Sequence, residues 1–201
     1  MTIWGLIKTR LNKITARLVI VILNNKNSIM SEVAITTEIQ PVKELFIKMA
    51  VAAWDTQAVR VSKLFDELSD EQIAGETAPG RNTGIYLLGH LVAVTDGMLP
   101  LLGFGEKLYP QLEKVFLTSP DKSGLETPSV QELKKYWKEV NAKLSAGIAA
   151  TTPDEWFMKH TAVSAEDFAR EPLRNKLNVL INRTNHQSYH LGQIIYLKPK
   201  K

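Results

Sequence analysis

An all-α fold, a four-helix bundle with short extra helices in its connections, is what this sequence predicts. Three observations lead there. Apolar residues recur at helical spacing in four long stretches. Helix-start signatures, Ser or Thr followed three residues later by Gln or Glu, stand at Ser69, Ser129 and Thr152. No segment alternates with period two between Gly or Asn-Gly turns, so no convincing strand is present. The composition agrees: 201 residues, 44% hydrophobic and 23% charged, with 11 Gly and 9 Pro, suit one folded domain of ordinary size.

Taken in order, residues 1–40 form a basic leader. Ile3, Ile7, Leu11, Ile14, Leu18 and Ile22 recur at helical spacing, and Lys8, Arg10, Lys13, Arg17 and Lys26 all precede the first acid, Glu32. The apolar run Leu18-Val19-Ile20-Val21-Ile22-Leu23 is far too short to span a bilayer. Met30-Ser31-Glu32 reads as a fresh chain start, so the leader is expected to be poorly ordered or an artefact of start-site choice, and membrane-surface contact through residues 1–30 is not expected. The bundle domain is assigned to residues 41–201.

The first long helix is expected from Pro41 to Leu68, with Leu45, Met49, Ala52, Ala53, Thr56, Val59 and Leu64 along its inner face. Ser69-Asp70-Glu71-Gln72 opens a short helix that Ala78-Pro79-Gly80 breaks. Asn82 or Thr83 caps the second long helix, whose stripe is Ile85, Leu88, Val92, Thr95 and Leu99, with Pro100 at its fraying end. A loop-rich stretch follows, with room for a short helix at Leu112 to Phe116. The Ser129-Val130-Gln131-Glu132 box starts the third, along Leu133, Tyr136, Trp137, Val140, Leu144 and Ile148. Thr152-Pro153-Asp154-Glu155 opens a short helix at Trp156. After the polar stretch from His160 to Glu171, Pro172 is expected in the first turn of the last helix, which runs past Leu177, Leu180, Ile181 and Thr184 and stops before Pro199. Trp54, Phe104, Tyr136, Trp137 and Trp156 read as core or rim.

Charge and cysteine usage narrow the chemistry. The net charge is +4, but beyond residue 31 there are 20 cations against 21 acids, so the body offers no electrostatic footprint for nucleic acid. With no cysteine there is no disulfide, no thiolate nucleophile and no Cys-ligated zinc. A metal here must use His, carboxylate or water.

Four histidines are present. His186 and His190 stand four apart in the last helix, which puts both rings on one face with Cβ atoms about 6 Å apart, suited to sharing one divalent ion. His90 lies mid-helix among Leu87, Leu88 and Leu91. Bundles build metal sites from facing helices, and one histidine from the second helix with two from the fourth would leave open positions, the hallmark of a catalytic rather than a structural site. His186-Gln187-Ser188-Tyr189-His190 is one residue from the zinc-peptidase pattern, but Gln187 cannot accept the water proton as a general-base glutamate does. Gln193, Asn185 and Tyr189 are candidates for supporting or ligand-contacting roles; of the two flanking residues, Asn185 and Tyr189, at most one can face the site. Asp96 and His160 read as solvent-facing.

Asn82-Thr83-Gly84-Ile85-Tyr86-Leu87-Leu88-Gly89-His90-Leu91, paired with Asn185-His186-Gln187-Ser188-Tyr189-His190-Leu191-Gly192-Gln193, resembles the DinB-like superfamily of damage-inducible and thiol-dependent transferase proteins. The resemblance spans roughly residues 41 to 197. It implies a DinB-like four-helix bundle, a homodimer, and a divalent metal, nickel or zinc, held by His90, His186 and His190; Leu191 stands where many members carry Arg. A small-molecule thiol and an electrophile are the expected substrates, with hydrolysis by activated water open as a second chemistry. A non-catalytic dimeric bundle that binds a small molecule or a partner is the alternative. A cytoplasmic location is expected.

Overall fold

The computed structural model describes residues 40–199. Contacts divide the chain into two units, Met1–Phe46 and Ile47–Lys201. The described part of the first, residues 40–46, is helical. The expectations for residues 1–39, including the amphipathic pattern and the start at Met30, lie outside the described residues.

The second unit is an all-helical bundle whose long helices are α1 (residues 47–67), α3 (Gly84–Asp96), α6 (Val130–Ala150) and α8 (Lys176–Ile194). Short helices fill the connections: α2 (Asp70–Ala74), α4 (Met98–Leu102), α5 (Leu112–Phe116) and α7 (Ala165–Arg170), with 3₁₀ turns at Glu155–Phe157 and Ile195–Leu197. Among the described residues there are no strands, only isolated bridges at Glu76–Thr83 and Lys159–Asn175.

The caps are those the sequence encodes. The Ser69 hydroxyl accepts from the Gln72 N–H while the Gln72 side chain accepts from the Ser69 N–H, and Ser129 with Glu132 repeats the arrangement at α6. Thr83 accepts from the Tyr86 N–H at the start of α3. Leu133, Trp137, Val140, Leu144 and Ile148 form the buried stripe of α6, and the Trp137 indole N–H donates to Ser62 on α1 at 2.8 Å.

Three elements differ from expectation. In the first helix, Leu45, Met49 and Val59 are exposed, while Ile47, Trp54, Val61, Leu64, Phe65 and Leu68 are buried. The sequence 47–68 carries a second apolar stripe at seven-residue spacing, and the larger area of Trp54 and Phe65 decides which stripe turns inward. At the end of α3, Gly97 is followed by another helical turn through Leu102, because Pro100 sits early in α4, where no intrahelical N–H is needed. Gly103, in the left-handed region at φ 81°, then ends it. The stretch Gly84–Leu102 is apolar enough and long enough to cross a membrane, yet 61% of its apolar window is buried inside the protein, as befits a central helix. Finally, α8 begins at Lys176 rather than at Pro172. Asn175 caps it by accepting from the Asn178 N–H at 2.8 Å and donating to the Pro172 carbonyl at 3.0 Å. The polar stretch before it contains α7, capped by Ser164 and with no buried residue.

The core has two parts. Phe65, Ile73, Leu87, Leu88, Leu91, Phe116, Leu133 and Trp137 belong to one, and Trp54, Met98, Leu102, Leu144, Trp156 and Leu180 to the other. α3 packs against α5, α6 and α8, which brings its residue 90 toward the last helix.

Candidate metal centre

Gly89 explains how α5 reaches α3. A Cβ at residue 89 would stand 2.4 Å from the Phe116 ring, so only glycine lets that ring come so close to the helix. The Phe116 carbonyl oxygen consequently sits 2.9 Å from Nδ1 of His90. A carbonyl only accepts, so Nδ1 of His90 carries the proton and Nε2 presents its lone pair. Tyr86, one turn earlier, lies parallel to the His90 ring with centroids 6.4 Å apart, and its hydroxyl donates to the Ser119 carbonyl at 2.8 Å.

On α8 the second ring is fixed in the same way. Nδ1 of His190 donates to Oε1 of Gln193 at 2.7 Å, and Nε2 of Gln193 donates to the Tyr189 hydroxyl at 3.3 Å. His190 is only 8% exposed. The Tyr189 ring meets it edge-on with centroids 5.1 Å apart. Asn185 is exposed.

All three Nε2 atoms converge. Nε2 of His186 lies 3.1 Å from that of His90 and 3.0 Å from that of His190, with the ring planes inclined by 52°, 69° and 80° to one another. The three ligand atoms form one compact group capable of holding a metal ion. With the protons of His90 and His190 committed at Nδ1, at most the single ring proton of His186 is left to separate three converging nitrogens. A cation resolves the clash. Bonds of about 2.0–2.1 Å in a tetrahedral site correspond to a nitrogen–nitrogen edge of roughly 3.3 Å, a few tenths of an ångström from the observed separation. The donor set therefore fits one divalent ion with room for an added ligand.

Electrostatics favours the ligating, neutral form. Burial, reinforced by His190, His90 and the Arg183 guanidinium, pushes the His186 imidazole from 6.5 down to about 4. Burial also lowers His190, against the opposing pull of its Gln193 hydrogen bond. His186 thus needs no deprotonation near neutrality before it binds a metal. One consequence follows for the metal-free protein. Between pH 6.5 and about 4 the unfolded chain holds more protons at residue 186 than the folded one, so stability rises with pH across that window and falls on acidification. Thermal melts at pH 6.5 and 5 are expected to show a smaller loss in His186→Ala than in the wild type.

The Gln193 contact is testable separately. Replacing a partner that orients a ligating imidazole ordinarily costs about 10- to 100-fold in metal affinity. Gln193→Leu is expected to fall in that range in a metal titration while its melting temperature stays close to that of the wild type.

Two other titratable side chains lie differently from their sequence reading. Asp96 is 1% exposed, not solvated: its carboxylate accepts the N–H groups of Leu108 and Tyr109 at 2.7 and 2.8 Å and ties down the loop after α4. His160 is partly buried, and its Nδ1 is enclosed without a hydrogen-bond partner. Three contributors were not singled out from sequence. Tyr86 and Arg183 stand one helical turn before His90 and His186, a spacing that points to them; the Phe116 carbonyl is backbone and leaves no residue-type signal.

Comparison with known proteins agrees with the architecture. No curated protein matches the sequence. Among solved structures, a conserved protein from Enterococcus faecalis has a similar fold, with a TM-score of 0.52 and 15% identity, over 75% of this chain and 93% of that one. The family model for the DinB superfamily matches residues 53–194, a span that contains all three converging histidines, and the chain accordingly belongs to that superfamily.

Proposed function

We propose that this protein is a metal-dependent transferase that activates a low-molecular-weight thiol at a centre formed by His90, His186 and His190, with nickel or zinc as the ion. The observation that carries the reading is that Nε2 of His186 lies 3.0–3.1 Å from both other Nε2 atoms, with all three ligand atoms within 4.8 Å of one another and two of the rings' protons committed elsewhere. A divalent metal, when bound, supplies Lewis acidity that lowers the pKa of a thiol or water arriving at its open positions. The chain's own residues do the rest. Phe116 and Gln193 hold two rings in the ligating tautomer, Tyr86 and Tyr189 flank them, and burial keeps His186 neutral. Because the sequence has no cysteine, the attacking sulfur must come from solution. Water in the same place would make the reaction a hydrolysis. A homodimeric state and a cytoplasmic location belong to this reading and are open to sedimentation and cell fractionation.

The test is thiol consumption by metal-loaded protein with a panel of small thiols and activated electrophiles. Turnover that needs the metal and disappears in His186→Ala supports the transferase. Stoichiometric metal without turnover of any thiol, or of water, would favour a binding module built on the same bundle.

A further inference from the structure

Arg183 stands three residues before His186 and seven before His190 on α8. At about 100° per residue the three side chains leave the helix within an arc of about 60°, and the rise between Arg183 and His186 is about 4.5 Å. Arg183 is partly buried. Among the described residues its side chain takes part in no ion pair or hydrogen bond, and burial disfavours its charged form. Its charge nevertheless reaches His186.

Among the described residues nothing balances it. Of the groups that bear on His186, which are His190, His90 and Arg183, only Arg183 is permanently charged, and among the described residues no carboxylate joins them. Gln187, which shares the same face, is 1% exposed and uncharged, and its amide atoms are enclosed without partners. A guanidinium partly withdrawn from water and left unpaired is disfavoured, and its fork of donors matches a carboxylate. With a divalent ion held by the three neutral imidazoles, ion and guanidinium together carry three positive charges. A thiolate offsets one of them. A second anionic group within reach of Arg183 would offset another.

We propose that Arg183 recognises an acid group on the small molecule that the metal site takes, so that the site selects carboxylate-bearing substrates. The inference rests on the metal reading above and adds the substrate class. It places a charge-assisted, two-point contact on one side of the ligand and metal-directed sulfur on the other.

The experiment uses full-length protein loaded with cobalt(II), whose visible spectrum reports thiolate ligation, titrated with 3-mercaptopropionate and with 1-propanethiol. The expected result is at least a tenfold preference of the wild type for 3-mercaptopropionate. That preference should fall toward unity in Arg183→Met, with cobalt uptake unchanged, and survive in part in Arg183→Lys, which keeps the charge without the fork. Competition by propionate shows whether the acid group binds without the thiol and hence whether either substrate can supply it. Equal affinity of the wild type for the two thiols, or a preference untouched in Arg183→Met, overturns the assignment and leaves the metal site standing. If Arg183→Met does not fold, the wild-type comparison and Arg183→Lys decide: a preference below tenfold, or one undiminished by lysine, counts against the proposal. Protein that takes up no cobalt overturns the metal reading and this inference together.

Discussion

His186→Ala is expected to lower metal affinity by more than about a hundredfold, beyond the range found when only an orienting partner of a ligand is lost. His186 is the common neighbour of the trio: its Nε2 lies 3.1 Å from that of His90 and 3.0 Å from that of His190. Removing it leaves two ligands, one per helix, without the nitrogen that bridges them. The fold should tolerate the change, because Nδ1 of His186 is enclosed without a hydrogen-bond partner and its loss breaks no contact to the backbone. Dialysis against nickel or zinc followed by elemental analysis should find one ion per wild-type chain and none retained by the variant, with a melting temperature within a few degrees in the absence of metal. Retention of the ion by His186→Ala would mean that the other two histidines bind it with ligands from elsewhere.

Gly89→Ala is expected to harm both stability and metal binding. Alanine gains about 1 kcal/mol over glycine in a helix interior from backbone entropy. Against this, the new Cβ would lie 2.4, 2.4 and 2.6 Å from three atoms of the Phe116 ring. That ring is 0% exposed and packed against Tyr86, so it has nowhere to swing. Overpacking of this kind costs about 1–3 kcal/mol and sometimes more, and contacts this short belong at the upper end, so the clash outweighs the propensity gain. The displacement also moves the carbonyl that fixes His90. Chemical denaturation should show a net loss of about 1–2 kcal/mol, and a metal titration should show a loss of about tenfold or more. A variant as stable as the wild type would mean that α5 does not press on α3 at this point.

Much of this molecule is legible in its residue order, and the illegible parts have physical reasons. Caps are local, so Ser69, Thr83, Ser129 and Thr152 announce helix starts within three or four residues. The stripe of α6 is a single apolar face and reads without ambiguity. The first helix carries two such faces, and periodicity does not say whether Met49 or Trp54 turns inward; the competition is settled by how much area each face buries against the rest of the bundle. α7 packs nothing apolar, so only its Ser164 cap marks it. At the centre, the i, i+4 pair and a mid-helix histidine are visible as residue types, and the superfamily resemblance joins them. What prepares them is not visible. The Phe116 carbonyl is a backbone group delivered across 26 residues, and the lack of a partner for the Arg183 side chain among the described residues follows from what fails to lie near it. Asp96, a carboxylate in the sequence, becomes a buried acceptor for two backbone N–H groups of a loop, a role set by a chain segment twelve residues away.

The most direct measurement is X-ray absorption on protein loaded with one equivalent of nickel or zinc, comparing the wild type with His90→Ala. Three imidazole nitrogens at about 2.0–2.1 Å in the wild type, reduced to two in the variant, are the predicted result. A spectrum with fewer than three imidazoles in the wild type, or one that His90→Ala leaves unchanged, would contradict a shared centre between α3 and α8.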